Sequence, residues 1–393
     1  MLVEENSKNI LKTVGLFTDS FSPMIDGVST VVRNYAMQIQ RLGISVCVLA
    51  PSCQSVENEH CTVLRYISLP VPLRKPYRWG FSLFNNNLDK QLSNNDLGII
   101  HAHSPFFSGK VALKFAKTNK IPLVATFHSK FKDNFSQLIS SKFIVNHIIK
   151  HIISFYQQAD EVWIPQAAVE QTMREYGYKG KVEVVENGCD FTPPTNIDLC
   201  KNSARQKLRF SSDETVYLFA GQIIYEKNIE LILNALEKIK HTNFKMIFVG
   251  AGYAENNFRK KVKSLNINEK VIFAGLISDR ERLAEYYSAA DLFLFPSLYD
   301  TSAIVVREAA AFATPSVIVR NSTFSEIIHD NENGFFIENS ALSLAEKLLF
   351  LQNEKNKLAQ VGRAAQATIT RSWADVTAEV TERYANLIKR KNS

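Results

Sequence analysis

No stretch of this 393-residue sequence stays apolar for the roughly 18 to 20 residues that a membrane-spanning helix needs, so no helical transmembrane span is expected. The opening residues, MLVEENSKNILK, carry early acids and lack the apolar core of a signal peptide, which points to a cytoplasmic location. Cysteine is scarce. The five present, Cys47, Cys53, Cys61, Cys189 and Cys200, form no C-x-x-C pair and have no neighbouring His at metal-ligand spacing, so they read as reduced thiols. Low-complexity tracts are missing as well, and with 46% hydrophobic and 22% charged residues the chain reads as globular rather than disordered. A complete G-x-G-x-x-G after a strand is also lacking: VGAGYAENNF (249–258) supplies Gly250 and Gly252 but no third glycine, which argues against a dinucleotide enzyme. Acids are outnumbered by bases, giving a formal charge of +7 and a pI near 9.0. That balance suits an anionic partner, whether nucleotide, nucleic acid or bilayer, without choosing among them.

What is present is an alternation. Apolar runs at 13–17, 45–50, 97–103, 122–128, 161–165 and 181–188 are separated by helix-like segments such as 28–41. Buried strands spaced by helical lengths imply a parallel sheet covered on both faces, a doubly wound α/β domain. After NGCDFTPPTNID, whose Pro193 and Pro194 interrupt regular structure, the alternation resumes with runs at 215–221, 244–250, 270–275, 291–297 and 315–319. Helical stretches at 229–239 and 280–289 lie between them, and the tail from about 340 to 389 reads as two or three helices. The expected organisation is two Rossmann-like domains, 1–190 and 191–370, with a final helix in 371–393. Ligands of doubly wound sheets bind at the carboxyl ends of the strands, so an active site between the domains is expected.

The stretch YDTSAIVVREAAAF (299–312) places two carboxylates, Asp300 and Glu308, with seven residues between them. Asp300 falls in a strand-to-helix loop and Glu308 one to two turns into the helix, where both can look back at the strand ends. Loop amides around 301–304, at a helix N-terminus, suit a phosphate or a sugar hydroxyl. Spacing alone equally permits Asp300 as a helix cap and Glu308 as an ion-paired helix residue beside Arg307.

The strand, FPS, an acid, seven residues, Glu, and a small-residue helix resemble the E-x7-E motif of retaining GT-B glycosyltransferases of family 4. FAGQIIYEKNIELILNAL (219–236) resembles the family's first donor-domain strand, loop and helix, where an Arg and a Lys five residues apart bind the donor pyrophosphate. Lys227 matches that Lys, whereas Gln222 stands at the Arg position and can offer only neutral hydrogen bonds. FTDSFSPMIDGVSTVVRNYAMQIQRLGISVCVLAP (17–51) matches the first strand, glycine loop and helix of the acceptor domain. EVVENGCDF and SWADVTAEVTERY resemble, respectively, the exit from that domain, shaped by Asn187 and Gly188, and the helix that crosses back to it.

This resemblance implies a GT-B fold and a set of site residues. Gly221, Gln222, Lys227, Asp300, Ser302, Ala303, Ile304 and Glu308 would bind the donor, with Glu308 on the ribose, Lys227 and loop amides on the pyrophosphate and Asp300 on the sugar. His128, Asp300 and Lys227 would carry catalysis, and Asp19, Asp26, Gly27, His103 and Lys130 would meet the acceptor. A strand-end His is more often structural, which applies to His103 more than to His128. No D-x-D ends a strand, so no metal or other cofactor is expected. Asp300 in place of Glu, Ala303 in place of Gly, and Gln222 leave a second class open, a GT-B protein serving as a non-catalytic accessory subunit.

SPMIDGVSTVVRNYA, FHSKF and YDTSAIVVREAAA look most like the branch that includes bacterial diacylglycerol glucosyltransferases. The implied reaction moves a hexose, as in UDP-glucose, to a lipid at the membrane; polysaccharide, protein and small-carbohydrate acceptors remain alternatives. No nucleic-acid partner is implied, and no oligomeric state is assigned. Independently, SKFIVNHIIKHIISFYQQ (141–158) places Ile144, Ile148, Ile152 and Phe155 at helical spacing with Lys142 and Lys150 between, as in a basic helix lying on an anionic bilayer. PLRKPYRW (72–79) adds Arg74, Lys75, Arg78 and Trp79. The competing reading is a core helix and an ordinary basic loop. A peripheral position on the inner face of the cell membrane is the expectation.

Overall fold

The computed structural model describes residues 11–53, 61–71, 77–81, 87–302 and 304–393, so Arg74, Lys75 and Ala303 lie outside the described residues. The chain divides into two compact units, Met1–Asn187 with Trp373–Ser393, and Gly188–Ser372. In the first unit the strands are β1 (Thr13–Phe17), β2 (Ser45–Pro51), β3 (Thr62–Tyr66), β4 (Ser68–Pro70), β5 (Arg78–Gly80), β6 (Leu97–Ala102), β7 (Leu123–Thr126), β8 (Glu161–Ile164) and β9 (Glu183–Val184). β4 and β5 pair antiparallel as a small ribbon, and the other seven form one parallel sheet in the order β3-β2-β1-β6-β7-β8-β9.

The second unit repeats the scheme with β10 (Thr215–Ala220), β11 (Phe244–Val249), β12 (Val271–Gly275), β13 (Leu292–Phe295), β14 (Ser316–Val319) and β15 (Phe335–Ile337), in the order β12-β11-β10-β13-β14-β15, all parallel. In each sheet the first strand sits between its second and fourth, so strand order reverses at β1/β6 and at β10/β13. At such a switch point the loops leave in opposite directions and open a crevice beyond the strand ends. The central strands are apolar on both faces because helices cover both: Val14, Leu16 and Phe17 in β1, and Val216, Leu218 and Phe219 in β10, are fully buried.

Within the two parallel sheets, the strands that the apolar runs did not mark, β3 and β15, lie at edges. β3 is half-buried and contains Arg65, and β15 is three residues long, so neither gives a sustained apolar signal. The helix Gly27–Arg41 starts on Asp26, whose carboxylate accepts from the Ser29 amide at 2.8 Å. The final helix, Trp373–Asn392, packs on the first unit: Trp373 meets Tyr35 edge-on, and Tyr384 stacks on Trp163 with ring centroids 5.4 Å apart. Burial of its Val376, Val380 and Leu387 contributes roughly 1.5–3 kcal/mol per side chain.

The glycines of VGAGY serve packing. A Cβ on Gly250, whose φ is +131°, would stand 1.8 Å from the Gly221 carbonyl oxygen, and one on Gly252 would stand 2.3 Å from that of Ile223. Backbone bonds from Gly221 to Val249 and from Ile223 to Ala251 hold the loops after β10 and β11 together. None of the five cysteines is joined in a disulfide. No helix among the described residues is long and apolar enough to cross a membrane.

Candidate functional site

In the second unit the donor-type residues gather at the β10/β13 switch point. β10 ends at Ala220, and Gly221, with φ +149°, turns the chain through Gln222 into a short 3-10 turn, Tyr225–Lys227. Lys227 is buried, and its ammonium donates to Asp300 Oδ1 in the loop after β13. The rings of Phe295 and Tyr299 lie 5.7 and 5.8 Å from Lys227 Nζ, on their faces, and add cation–π attraction. Asp300 Oδ2 is buried and accepts no hydrogen bond. Two groups expected to grip different parts of a ligand thus hold each other.

Ser302 is half-buried in the same loop, and Ile304 opens the helix Ile304–Ala311. Glu308, on the fifth position of that helix, is buried and joins a different group. Its Oε1 accepts from Arg280 Nη2 at 2.7 Å and its Oε2 from the Tyr287 hydroxyl at 2.7 Å. Arg280 also donates to Asp190 and lies 4.0 Å from the centroid of the Phe191 ring. Burial works against the Arg280 charge, but Glu308 and Asp190 more than offset it and hold the guanidinium pKa above its ordinary value. Burial, then the Glu308 charge, pushes the Tyr287 phenol well up. Arg307, the neighbour in the competing reading of Glu308 as an ion-paired helix residue, donates to the Ile369 carbonyl at 2.6 Å.

Arg280 and Tyr287 were not singled out in the sequence. Arg280 stands one residue past Asp279, which caps the helix Arg280–Ala289, and Tyr287 lies two turns further on; inspecting every loop that leaves a strand's carboxyl end would have found the arginine.

In the first unit Asp19 and His103 follow β1 and β6, the two strands of its switch point. Asp19 Oδ1 accepts from the Tyr66 hydroxyl at 2.5 Å and from the Ser108 amide at 3.0 Å, and its amide donates to Ser104 Oγ at 3.1 Å. Its Oδ2 is buried without a partner. Burial raises the Asp19 pKa against the opposing bonds from Tyr66 and Ser108. Both oxygens of Asp26 are engaged within the protein, one by the Ser29 amide and the other by Ser20 Oγ at 2.6 Å. Gly27 is exposed, and a Cβ there would meet nothing within 4 Å.

His128 follows β7, and its Nε2 lies 3.0 Å from His103 Nδ1 with the two rings stacked. His101, which the sequence did not mark, completes the row: its ring centroid is 4.0 Å from that of His103, and it bonds Tyr384 at 2.5 Å and Thr126 at 2.6 Å. Burial lowers all three imidazoles, His128 to about 3 and the other two well below the usual value, so the row is neutral at physiological pH. His103 Nε2 has no hydrogen-bond partner. Lys130 stands at the start of the helix Phe131–Leu138.

The helix Lys142–Tyr156 corrects one expectation. Ile152 and Phe155, read as part of an outward stripe, are 4% and 5% exposed, and Ile148 packs against the core. The buried face is Val145, Ile149, Ile152 and Ile153 with Phe155 and Tyr156. Ile144 and Phe143 are exposed, as are Lys142 and Lys150. The helix is apolar over so wide an arc that periodicity alone could not say which side met the core. On the ribbon, Trp79 is exposed opposite Leu69, also exposed, while the Arg78 guanidinium is occupied by Ser68.

Residues 25–192 match the family profile described as Glycosyltransferase Family 4, and residues 201–368 that described as Glycosyl transferases group 1. Among curated relatives, the alpha-monoglucosyldiacylglycerol synthase of Streptococcus pneumoniae is 28% identical, over 82% of this chain and 74% of its own. That of Acholeplasma laidlawii is 24% identical over 96% and 98%. Among solved structures, Anabaena HepE, determined in complex with UDP and glucose, superposes with a TM-score of 0.75 at 17% identity over 95% of this chain and 99% of its own. The fold is thus GT-B, and the relatives favour an enzyme over a non-catalytic subunit. With profiles that together take in both units and relatives that are synthases along most of its length, the chain belongs to the group 1, family 4 glycosyltransferases and is a hexosyltransferase.

Proposed function

We propose that the enzyme moves a hexose, glucose in the first instance, from a uridine diphosphate sugar to the hydroxyl of a diacylglycerol-type lipid, retaining the α configuration. The observation that carries the donor half is Lys227, a buried ammonium at the switch point beyond β10 and β13, where a diphosphate would find its counter-charge. Glu308, fixed by Arg280 and Tyr287, keeps lone pairs for ribose hydroxyls. Asp300 offers its vacant Oδ2 to a sugar hydroxyl. Amides near Thr301 and Ser302 at the start of the helix Ile304–Ala311 add to the diphosphate's support.

In this reading the acceptor oxygen bonds to the anomeric carbon on the face from which the diphosphate leaves, the carbon–oxygen bond to the nucleotide breaks, and the acceptor's proton passes to the departing phosphate oxygen. Stabilising that leaving group is the main catalytic contribution. Removing one such donor commonly costs roughly 100- to 1000-fold in rate. Lys227 and backbone amides supply the positive charge, so the reading includes no metal, and chelators should leave the rate unchanged.

Diacylglycerol as acceptor is supported by the two synthases named above. Docking to an anionic inner-leaflet surface is supported by the exposed Lys142, Lys150, Phe143 and Trp79. Asp19, Gly27, His103, His128 and Lys130 form the acceptor side of this reading. The test is UDP release from UDP-glucose by the purified protein, with and without diacylglycerol liposomes, alongside Glu308→Gln. Lipid-stimulated release that the variant lacks is the expected result. Release that soluble carbohydrates stimulate and lipid does not would overturn the acceptor. Liposome binding should fall in Lys142→Glu with Lys150→Glu, and in Trp79→Ala.

A further inference from the structure

We propose that Asp300 competes with the donor's diphosphate for Lys227 and thereby sets how readily the spent nucleotide leaves. The inference rests on the reading above, in which Lys227 meets the diphosphate.

A buried ammonium requires a counter-charge, because desolvation leaves an unpaired ion several kcal/mol worse off. Lys227 has one in Asp300 Oδ1, with two aromatic faces around the rest of its head group. A diphosphate at the same ammonium is a second anion beside Asp300, and two like charges brought together repel by several kcal/mol. Binding of the nucleotide therefore requires either that Lys227 turn from Asp300 or that Asp300 find another donor. The second oxygen of Asp300 provides for this: Oδ2 is buried and accepts no hydrogen bond, so a sugar hydroxyl can donate to it without displacing a protein group.

With a complete nucleotide sugar, the hydroxyl compensates Asp300 and the ammonium is released to the diphosphate. Once the hexose has gone to the acceptor, that hydroxyl goes with it. Asp300 then takes back Lys227, and the nucleotide diphosphate loses its cation. Product release is thus tied to completion of transfer by one shared lysine.

The experiment is calorimetric titration of wild type, Asp300→Asn and Asp300→Ser with UDP and with UDP-glucose, with GDP and ADP as further probes. Wild type should bind UDP-glucose more tightly than UDP. Asp300→Asn should bind UDP about tenfold or more tightly than wild type, show stronger product inhibition and lose turnover. The gain should disappear when Lys227→Met is added, since the competition is for that ammonium. If Asp300→Asn folds poorly, Asp300→Ser and the wild-type comparison of UDP with UDP-glucose carry the test. Unchanged or weaker UDP binding in the variants, or wild-type UDP binding as tight as UDP-glucose, overturns the competition while leaving the donor reading intact. Failure of wild type to bind any of the nucleotides overturns both.

Discussion

Arg280 ties Glu308 to Asp190 through one guanidinium, with Tyr287 taking the remaining oxygen of Glu308. The second acid of the spaced pair is therefore held in place by protein contacts on both its oxygens. Arg280→Met leaves a buried carboxylate without its cation and should cost about 3–5 kcal/mol of stability, measured by urea unfolding. Arg280→Lys should recover part of that stability while raising the donor KM, because an ammonium keeps the charge but loses the planar guanidinium that lies over the Phe191 ring and positions Nη2 between Asp190 and Glu308.

In the proposed donor site, the loop after β10 carries Gln222 and Lys227 where the motif it resembles has an Arg and a Lys. Gln222→Arg should lower the donor KM and raise kcat/KM for UDP release by about tenfold or more, since charge-assisted donors outperform neutral ones at a leaving diphosphate. Steady-state kinetics with varied donor concentration check this.

The row His101, His103 and His128 predicts acid lability. Each folded-state pKa lies below the unfolded value, so the unfolded chain binds more protons once pH falls below about 6.5, and stability is lost as pH falls. The slope should approach about 1.4 kcal/mol per pH unit for each imidazole. Urea midpoints between pH 7.5 and 5 read it, and His128→Asn should flatten the slope. Asp19 has the opposite sign: its raised pKa favours the folded state as pH falls toward the carboxylate range, so it opposes the histidines only at the acid end.

Two glycines separate structure from chemistry. Gly250→Ala drives a Cβ toward the Gly221 carbonyl at 1.8 Å and should destabilise by roughly 1–3 kcal/mol or more. Gly27→Ala meets no protein atom within 4 Å and should leave the melting temperature nearly unchanged while reducing transfer, if that open space receives the acceptor. Thermal melts and transfer assays on the two variants make the comparison.

The strand runs of both sheets were legible because central parallel strands are apolar on both faces, and their ends pointed to Asp19, His103, His128 and Asp300. Partnerships across long separations were not. Lys227 and Asp300 were each visible as charged groups near strand ends, but their mutual bond spans 73 residues and depends on how two loops meet. His101 sits inside an apolar run and reads as core until Tyr384, 283 residues later, is seen to bond it. The helix Lys142–Tyr156 shows the complementary failure, in which a true helical period was assigned to the wrong face.

The return of residues 373–392 to the first unit also dictates an order of completion during synthesis. Tyr35, His101 and Trp163 emerge from the ribosome long before Trp373 and Tyr384, which fill the space beside them. All of Gly188–Ser372 is made in the interval. The unit that begins first is therefore the last to close, and a nascent chain stalled within the second unit leaves an uncovered aromatic seat for chaperones to shield.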